Sequence, residues 1–140
     1  MIRSTCLFGL LALLSACSGI PPANPVDVQL LLRTSNAWDG SPYTHYPSGP
    51  PELSVLKIRI AADTALAWHR HPIPNAGYVL NGELTVETPE GRQVQVRAGD
   101  ALAEIADGVH RGRAGSQGAE LIVFYAGSPG QALSEIQPTD

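Results

Sequence analysis

Trp68-His69-Arg70-His71-Pro72-Ile73-Pro74-Asn75, then Gly99-Asp100-Ala101-Leu102-Ala103-Glu104-Ile105 and His110, is the sequence on which the reading of the fold rests. Two histidines separated by one residue cannot share a helix face, where neighbours stand three or four apart. On a β-strand they do share a face, with Cα atoms about 6.6 Å apart. At that spacing two imidazoles converge on one ion, and a third ligand has to come from another strand. His110 supplies it, because Gly99-Asp100 reads as a tight turn that feeds a strand towards it. Three of the four histidines in the chain fall into this pattern, which favours a metal site over solitary exposed histidines.

Working outward, short runs of alternating or β-branched residues recur between Gly, Pro, Asn and Asp. Strands are expected over 26–33, 53–60, 67–71, 77–80, 83–88, 93–97, 101–105, 109–113 and 119–126. The run 53–60 alternates cleanly, with Leu53, Val55, Lys57 and Arg59 set against Ser54, Leu56, Ile58 and Ile60. Asn81-Gly82 between two such runs predicts a hairpin, since both residues tolerate positive φ. Pro89-Glu90-Gly91 and Ala98-Gly99-Asp100 predict further turns. With no convincing amphipathic helix and no internal repeat, the pattern is that of an all-β sandwich or barrel in a single domain. Residues 36–51 are rich in Pro, Gly and Ser but carry Trp38, Tyr43, His45 and Tyr46. These aromatics predict an ordered flap packed on the barrel, with His45 on its surface and away from the metal.

The N-terminus reads as an address. One charge at Arg3 precedes an apolar run over 7–14, too short for a membrane-spanning helix of about 20 residues. It closes on Leu14-Ser15-Ala16-Cys17, the form of a bacterial lipoprotein signal. Residues 1–16 are therefore expected to be a signal peptide, with lipid on Cys17, a tether over 17–25 and the folded domain over 26–140. Ser18 stands where some enteric lipoproteins carry the aspartate that retains them in the inner membrane. The expected location is thus the cell envelope, facing the periplasm, with the outer membrane favoured over the inner. Cys6 leaves with the leader and lipid occupies Cys17, so no disulfide is expected. The 140-residue chain has a formal net charge of −4 with 9 Lys+Arg; these include one lysine and form no basic cluster, which excludes nucleic acid as a natural partner. The expected partners are a small molecule and, through the anchor, a membrane. Homodimer formation is left open.

The region 61–84 resembles the first motif of the cupin family, His-x-His followed by an acidic residue and a closing glycine. His69, His71 and Gly82 fit it. Gly99-Asp100 and His110 resemble the second motif, and the likeness extends over about 53–125. It implies a double-stranded β-helix, the small jelly-roll barrel of cupins, with one divalent transition metal at His69, His71 and His110. Iron, manganese, zinc and nickel are not distinguished. Three departures stand out: Asn75 replaces the acidic ligand, Ile105 and Asp107 replace the usual Pro and Gly, and Ala114 replaces the usual Asn. Three neutral imidazoles alone would leave the ion its full positive charge.

Glu104 is the candidate that restores the lost acid, as fourth ligand or as general base and catalytic residue. Facing out it is merely solvated, and the apolar neighbours in 101–105 leave alternation undecided. The expectation is Glu104 beside the ion, with Asn75 as a hydrogen-bonding residue behind the ligands. Arg70, Arg111 and Arg113 alternate with the histidines and are expected outside the barrel, and Trp68 is expected to serve packing. The expectation is a metal-binding cupin-like lipoprotein; whether it is an enzyme is left open, and if it is, the resemblance implies dioxygenase- or isomerase-like chemistry on a small molecule. The alternatives are a small-molecule binder without turnover and a structural barrel without metal.

Overall fold

The computed structural model describes residues 25–138. The leader, Cys17 and the tether up to residue 24 lie outside the described residues, as do 139 and 140. Every regular element among the described residues is a strand: β1 Glu52–Ile60, β2 His69–Arg70, β3 Asn75–Glu87, β4 Gln93–Arg97, β5 Ala101–Ala103, β6 Arg111–Gly127 and β7 Glu135–Ile136. The larger sheet runs β1-β6-β3-β4, with β5 also paired to β3; β2 and β7 form a second, two-stranded sheet. All these pairings are antiparallel. The single bridges His69↔His110, Ala65↔Arg113 and His71↔Ala106 tie the first histidine segment to the stretch entering β6. Among the described residues no helix is long and apolar enough to cross a membrane.

β1 forms where the alternation placed it. Leu53 and Val55 point outward and Ile60 inward. Two expected hairpin arms, 77–80 and 83–88, are instead one 13-residue strand, β3. Asn81-Gly82 does not reverse the chain there. Gly82 takes φ +75°, and the register against β6 shifts between Val79 and Asn81 and again between Gly82 and Leu84. An irregularity of this kind bends a strand without ending it. The reason lies across the sheet: a Cβ at Gly82 would stand 2.0 Å from the Gly118 carbonyl oxygen. The glycine therefore serves close approach of two backbones. Gly118, itself at φ +75°, lets the expected strands 109–113 and 119–126 merge into the 17-residue β6.

Two further expectations need correction. Residues 26–33 are exposed and form no strand, because alternation by itself does not make a ladder. The strand at 67–71 shrinks to His69–Arg70, paired with β7, which the periodicity did not predict. The core between the strands holds Ile60, Ile73, Val79, Leu84, Val86, Leu121 and Val123. Each such aliphatic side chain contributes about 1.5–3 kcal/mol by leaving water.

Candidate metal centre

The backbone fixes the three histidines before their side chains are considered. His69 and His110 exchange both backbone hydrogen bonds, each 2.9 Å, which places their side chains on one face. His71 follows on the same side of the chain, and its carbonyl accepts the Asp107 N–H at 2.7 Å. Asp107 sits at φ +62°, the left-handed region that glycine adopts freely and aspartate tolerates. The turn thus keeps its shape although Asp107 stands where the resemblance expected glycine.

All three imidazoles are buried, with ring centroids 4.8 to 5.0 Å apart. Their ligand atoms lie within 4.8 Å of one another, so the group could hold a metal ion. Each Nδ1 is fixed by a backbone carbonyl: His69 on Ala67 at 2.8 Å, His71 on Leu133 at 2.7 Å and His110 on Gly108 at 2.9 Å. These contacts assign the ring proton to Nδ1 and leave Nε2 as a lone pair. Outer hydrogen bonds of this kind hold metal-binding imidazoles in orientation.

Glu104 enters this group. Its Oε2 lies 3.1 Å from Nε2 of both His71 and His110. A carboxylate oxygen and two imidazole lone pairs repel one another unless a cation or added protons stand between them. A proton on the His71 ring relieves this repulsion, in line with the raised pKa of that ring. Burial opposes ionisation of Glu104, but hydrogen bonds from His110 and His71 outweigh it and hold the carboxyl far below its usual range. His71 shows the counterpart: burial lowers its pKa, while its bond to Glu104 and that residue's charge raise it above the ordinary 6.5. Burial pushes His69 the other way, helped by the charges of His110 and His71. The three imidazoles could hold a metal ion, and nitrogen donors of this kind with a carboxylate beside them suit zinc, iron, manganese or nickel without choosing among them.

The flap carries side chains that support this arrangement. Tyr43 donates its hydroxyl to the Glu104 carbonyl, and the backbone N–H of Trp38 donates to the Ala103 carbonyl at 3.0 Å. Tyr125 stacks edge-on against His71 at 5.6 Å between centroids. Burial, followed by the charge of Glu104, raises both phenols to about 12, so both remain donors at neutral pH. The place of Tyr125 beside His71 was missed, and nothing in the sequence sets it apart within 119–126. Leu133, which fixes His71 through its carbonyl, leaves no signal in sequence because any residue supplies that group.

Asn75 is buried, and neither its amide oxygen nor its amide nitrogen has a hydrogen-bond partner. His45 is exposed on the flap with Thr44 at 2.8 Å and stands apart from the three-histidine group. The arginines lie outside, as alternation predicted. Arg70 pairs with Glu135 at 2.7 Å, and Arg111 and Arg113 share Glu87 at 2.7 and 2.8 Å. Trp68 packs under the Arg111 guanidinium at 4.3 Å.

The three histidines and Glu104 line a cavity of about 60 Å³ whose other walls include Leu66, Leu84, Val86 and Tyr125. That space admits an ion and a few waters. It is far below the roughly 300–1,000 Å³ of drug-sized ligand sites. A larger cavity of about 560 Å³, between the flap and the outer sheet face, touches none of the three histidines.

A small β-barrel with imidazoles and a carboxylate gathered in one interior cavity defines a class: metal-capable jelly-roll barrels. The sequence matches the family described as Cupin domain over residues 56–125, and the chain belongs to that family. No curated protein matches it. Among solved structures, the DMSP lyase DddQ from Ruegeria pomeroyi DSS-3 is similar with a TM-score of 0.55 and 17% identity, over 70% of this chain and 47% of that one. The polyketide cyclase RemF from Streptomyces resistomycificus matches with a TM-score of 0.53 and 17% identity, over 63% and 62%. An uncharacterized protein with a double-stranded β-helix domain from Klebsiella pneumoniae matches with 0.52 and 17%, over 62% and 76%. At these identities the likeness supports the double-stranded β-helix fold alone.

Proposed function

We propose that this cupin holds one divalent transition metal through Nε2 of His69, His71 and His110 and the Glu104 carboxylate, and uses it on a small molecule. The observation that carries the reading is the pair of 3.1 Å contacts from Glu104 Oε2 to two imidazoles whose other nitrogens already face carbonyls. When bound, the ion supplies Lewis acidity towards an oxygen or sulfur of the ligand. The chain's own residues do the rest. The apolar walls exclude water, and Tyr43 fixes the backbone of Glu104. The second oxygen of Glu104 lies on the side of Gly77, where a Cβ would be 3.7 Å away.

The cavity of about 60 Å³ also favours a second reading, a binding protein that takes only the tip of its ligand without turnover. The lyase and the cyclase share the fold with this chain, and their reactions are not carried over at 17% identity.

Metal analysis of the full chain purified without a histidine tag tests the proposal. Close to one divalent ion per chain is expected, with severe loss in His69→Ala, His71→Ala and His110→Ala and none in His45→Ala. A wild-type chain without divalent metal after growth and refolding in each candidate ion overturns the proposal and leaves a structural barrel. We further propose that the chain is lipid-anchored through Cys17 on the periplasmic side of the envelope, preferably in the outer membrane. Cys17→Ser is expected to release the protein from the membrane fraction or leave the leader uncleaved. Wild-type protein that is wholly soluble with a free thiol contradicts this.

A further inference from the structure

Arg33 is the only lysine or arginine among the described residues without an ion pair. Lys57 and Arg59 share Glu120, and Arg111 and Arg113 share Glu87. Arg70 takes Glu135, Arg92 takes Asp39 and Arg97 takes Glu83. The free arginine stands at the cavity of about 560 Å³ between the flap and the outer face of the sheet, and no aspartate or glutamate lines that cavity. Leu32, Phe124 and Ala126 give it an apolar wall, with Leu32 and Phe124 left 37% and 41% exposed. Its volume lies within the roughly 300–1,000 Å³ of small-molecule sites. The wall is also fixed in advance. The Tyr43 N–H donates to the Ser35 carbonyl at 2.9 Å, Asn36 Nδ2 donates to the Gly40 carbonyl at 3.0 Å, and the Tyr43 hydroxyl is held by the Glu104 carbonyl. A recess that needs little ordering on binding loses less of its contact energy.

We propose that this outer cavity binds a small amphipathic carboxylate, its apolar body against Leu32 and Phe124 and its anionic end on the Arg33 guanidinium. Charge complementarity chooses the ligand. An apolar recess alone takes any apolar molecule of fitting size, but an unpaired guanidinium at its wall favours an anion. The planar fork of donors on arginine matches a carboxylate in particular. A cation finds no acid among the lining residues, and a neutral molecule gains nothing from the arginine's charge. A bilayer surface is the weaker occupant, since it would meet Arg33 without filling the recess behind the flap. The site stands whether or not an ion occupies the histidine cluster, because none of those three histidines lines it.

Nuclear magnetic resonance titration of the full chain in nonionic micelles tests it, with 4-phenylbutyrate as the probe and 4-phenylbutanol as its uncharged counterpart. The carboxylate is expected to shift the resonances of Leu32, Arg33, Phe124 and Ala126 and to saturate with a dissociation constant of about 1 mM or below. The alcohol is expected to shift Leu32, Phe124 and Ala126 but to bind about three- to fivefold more weakly, the worth of one exposed charge pair. Arg33→Gln removes an exposed, unpaired charge and is expected to leave the spectrum of the barrel unchanged. In that variant the carboxylate should bind no better than the alcohol, while the alcohol keeps its wild-type affinity. Equal binding of the two compounds to the wild type overturns the proposal, as does an unchanged preference in Arg33→Gln. It also fails if the carboxylate shifts His69 and His110 while leaving Leu32 and Phe124 in place. A wild type that ignores 4-phenylbutyrate yet binds phosphatidylglycerol vesicles through Arg33 contradicts it as well.

Discussion

Oε2 of Glu104 stands 3.1 Å from Nε2 of both His71 and His110, and its charge favours a proton on His71 that an ion entering the cavity has to displace. The sign of the pH dependence follows. His71 is held above 6.5 by Glu104, and His69 is held below it by burial. As pH falls through the raised range of His71, a proton competes with the ion, while His69 remains neutral to lower pH. Metal affinity is therefore expected to fall with decreasing pH by about one proton per ion, close to tenfold per unit below the His71 value. Titration calorimetry in two buffers checks it, and proton release near zero contradicts it. Glu104→Gln keeps the shape but removes the charge, and is expected to weaken metal binding roughly 100-fold. Asn75→Ala is expected to cost at least about tenfold less, because the Asn75 amide has no partner to lose. The histidine set was legible in sequence because strand spacing and two motifs agreed. Glu104 was singled out only by the acid missing at Asn75, since four of the five residues in 101–105 are apolar and both faces read alike.

At the scale of the elements, the misreading of Asn81-Gly82 shows what local pattern leaves out. Asn-Gly is a strong hairpin signal when nothing else pairs with the flanking strands. Here β6 runs beside β3 on both sides of the glycine, and the long ladder continues through the bend. Only a long-range partner, invisible in a local window, decides between turn and bulge. The consequence is measurable by urea unfolding. Gly91→Ala, at φ +86° with nothing within 4 Å of the added Cβ, is expected to cost about 1–2 kcal/mol of backbone strain. Gly82→Ala adds a 2.0 Å clash with the Gly118 carbonyl and is expected to cost about 2–5 kcal/mol. Equal costs at the two glycines contradict the bulge. The segment 26–33 makes a related point, since its alternation led to an expected strand that the structure does not form.

For the molecule as a whole, the all-β barrel was legible from turn spacing and the family from two motifs. The size of the interior was not, because it depends on how side chains from five or six segments meet. On the proposed function that size limits the centre: with about 60 Å³ beside the imidazoles, only the reactive end of a ligand would reach a bound ion. The central claim is that one ion sits among His69, His71, His110 and Glu104. Anomalous diffraction from crystals of the untagged chain, at the absorption edge of the metal found in solution, tests it most directly. The account predicts one peak about 2.0–2.2 Å from Nε2 of each histidine and from a Glu104 oxygen, the spacing of a zinc-like ion. A fully occupied peak elsewhere, or Glu104 turned into solvent beside a bare three-histidine site, contradicts it.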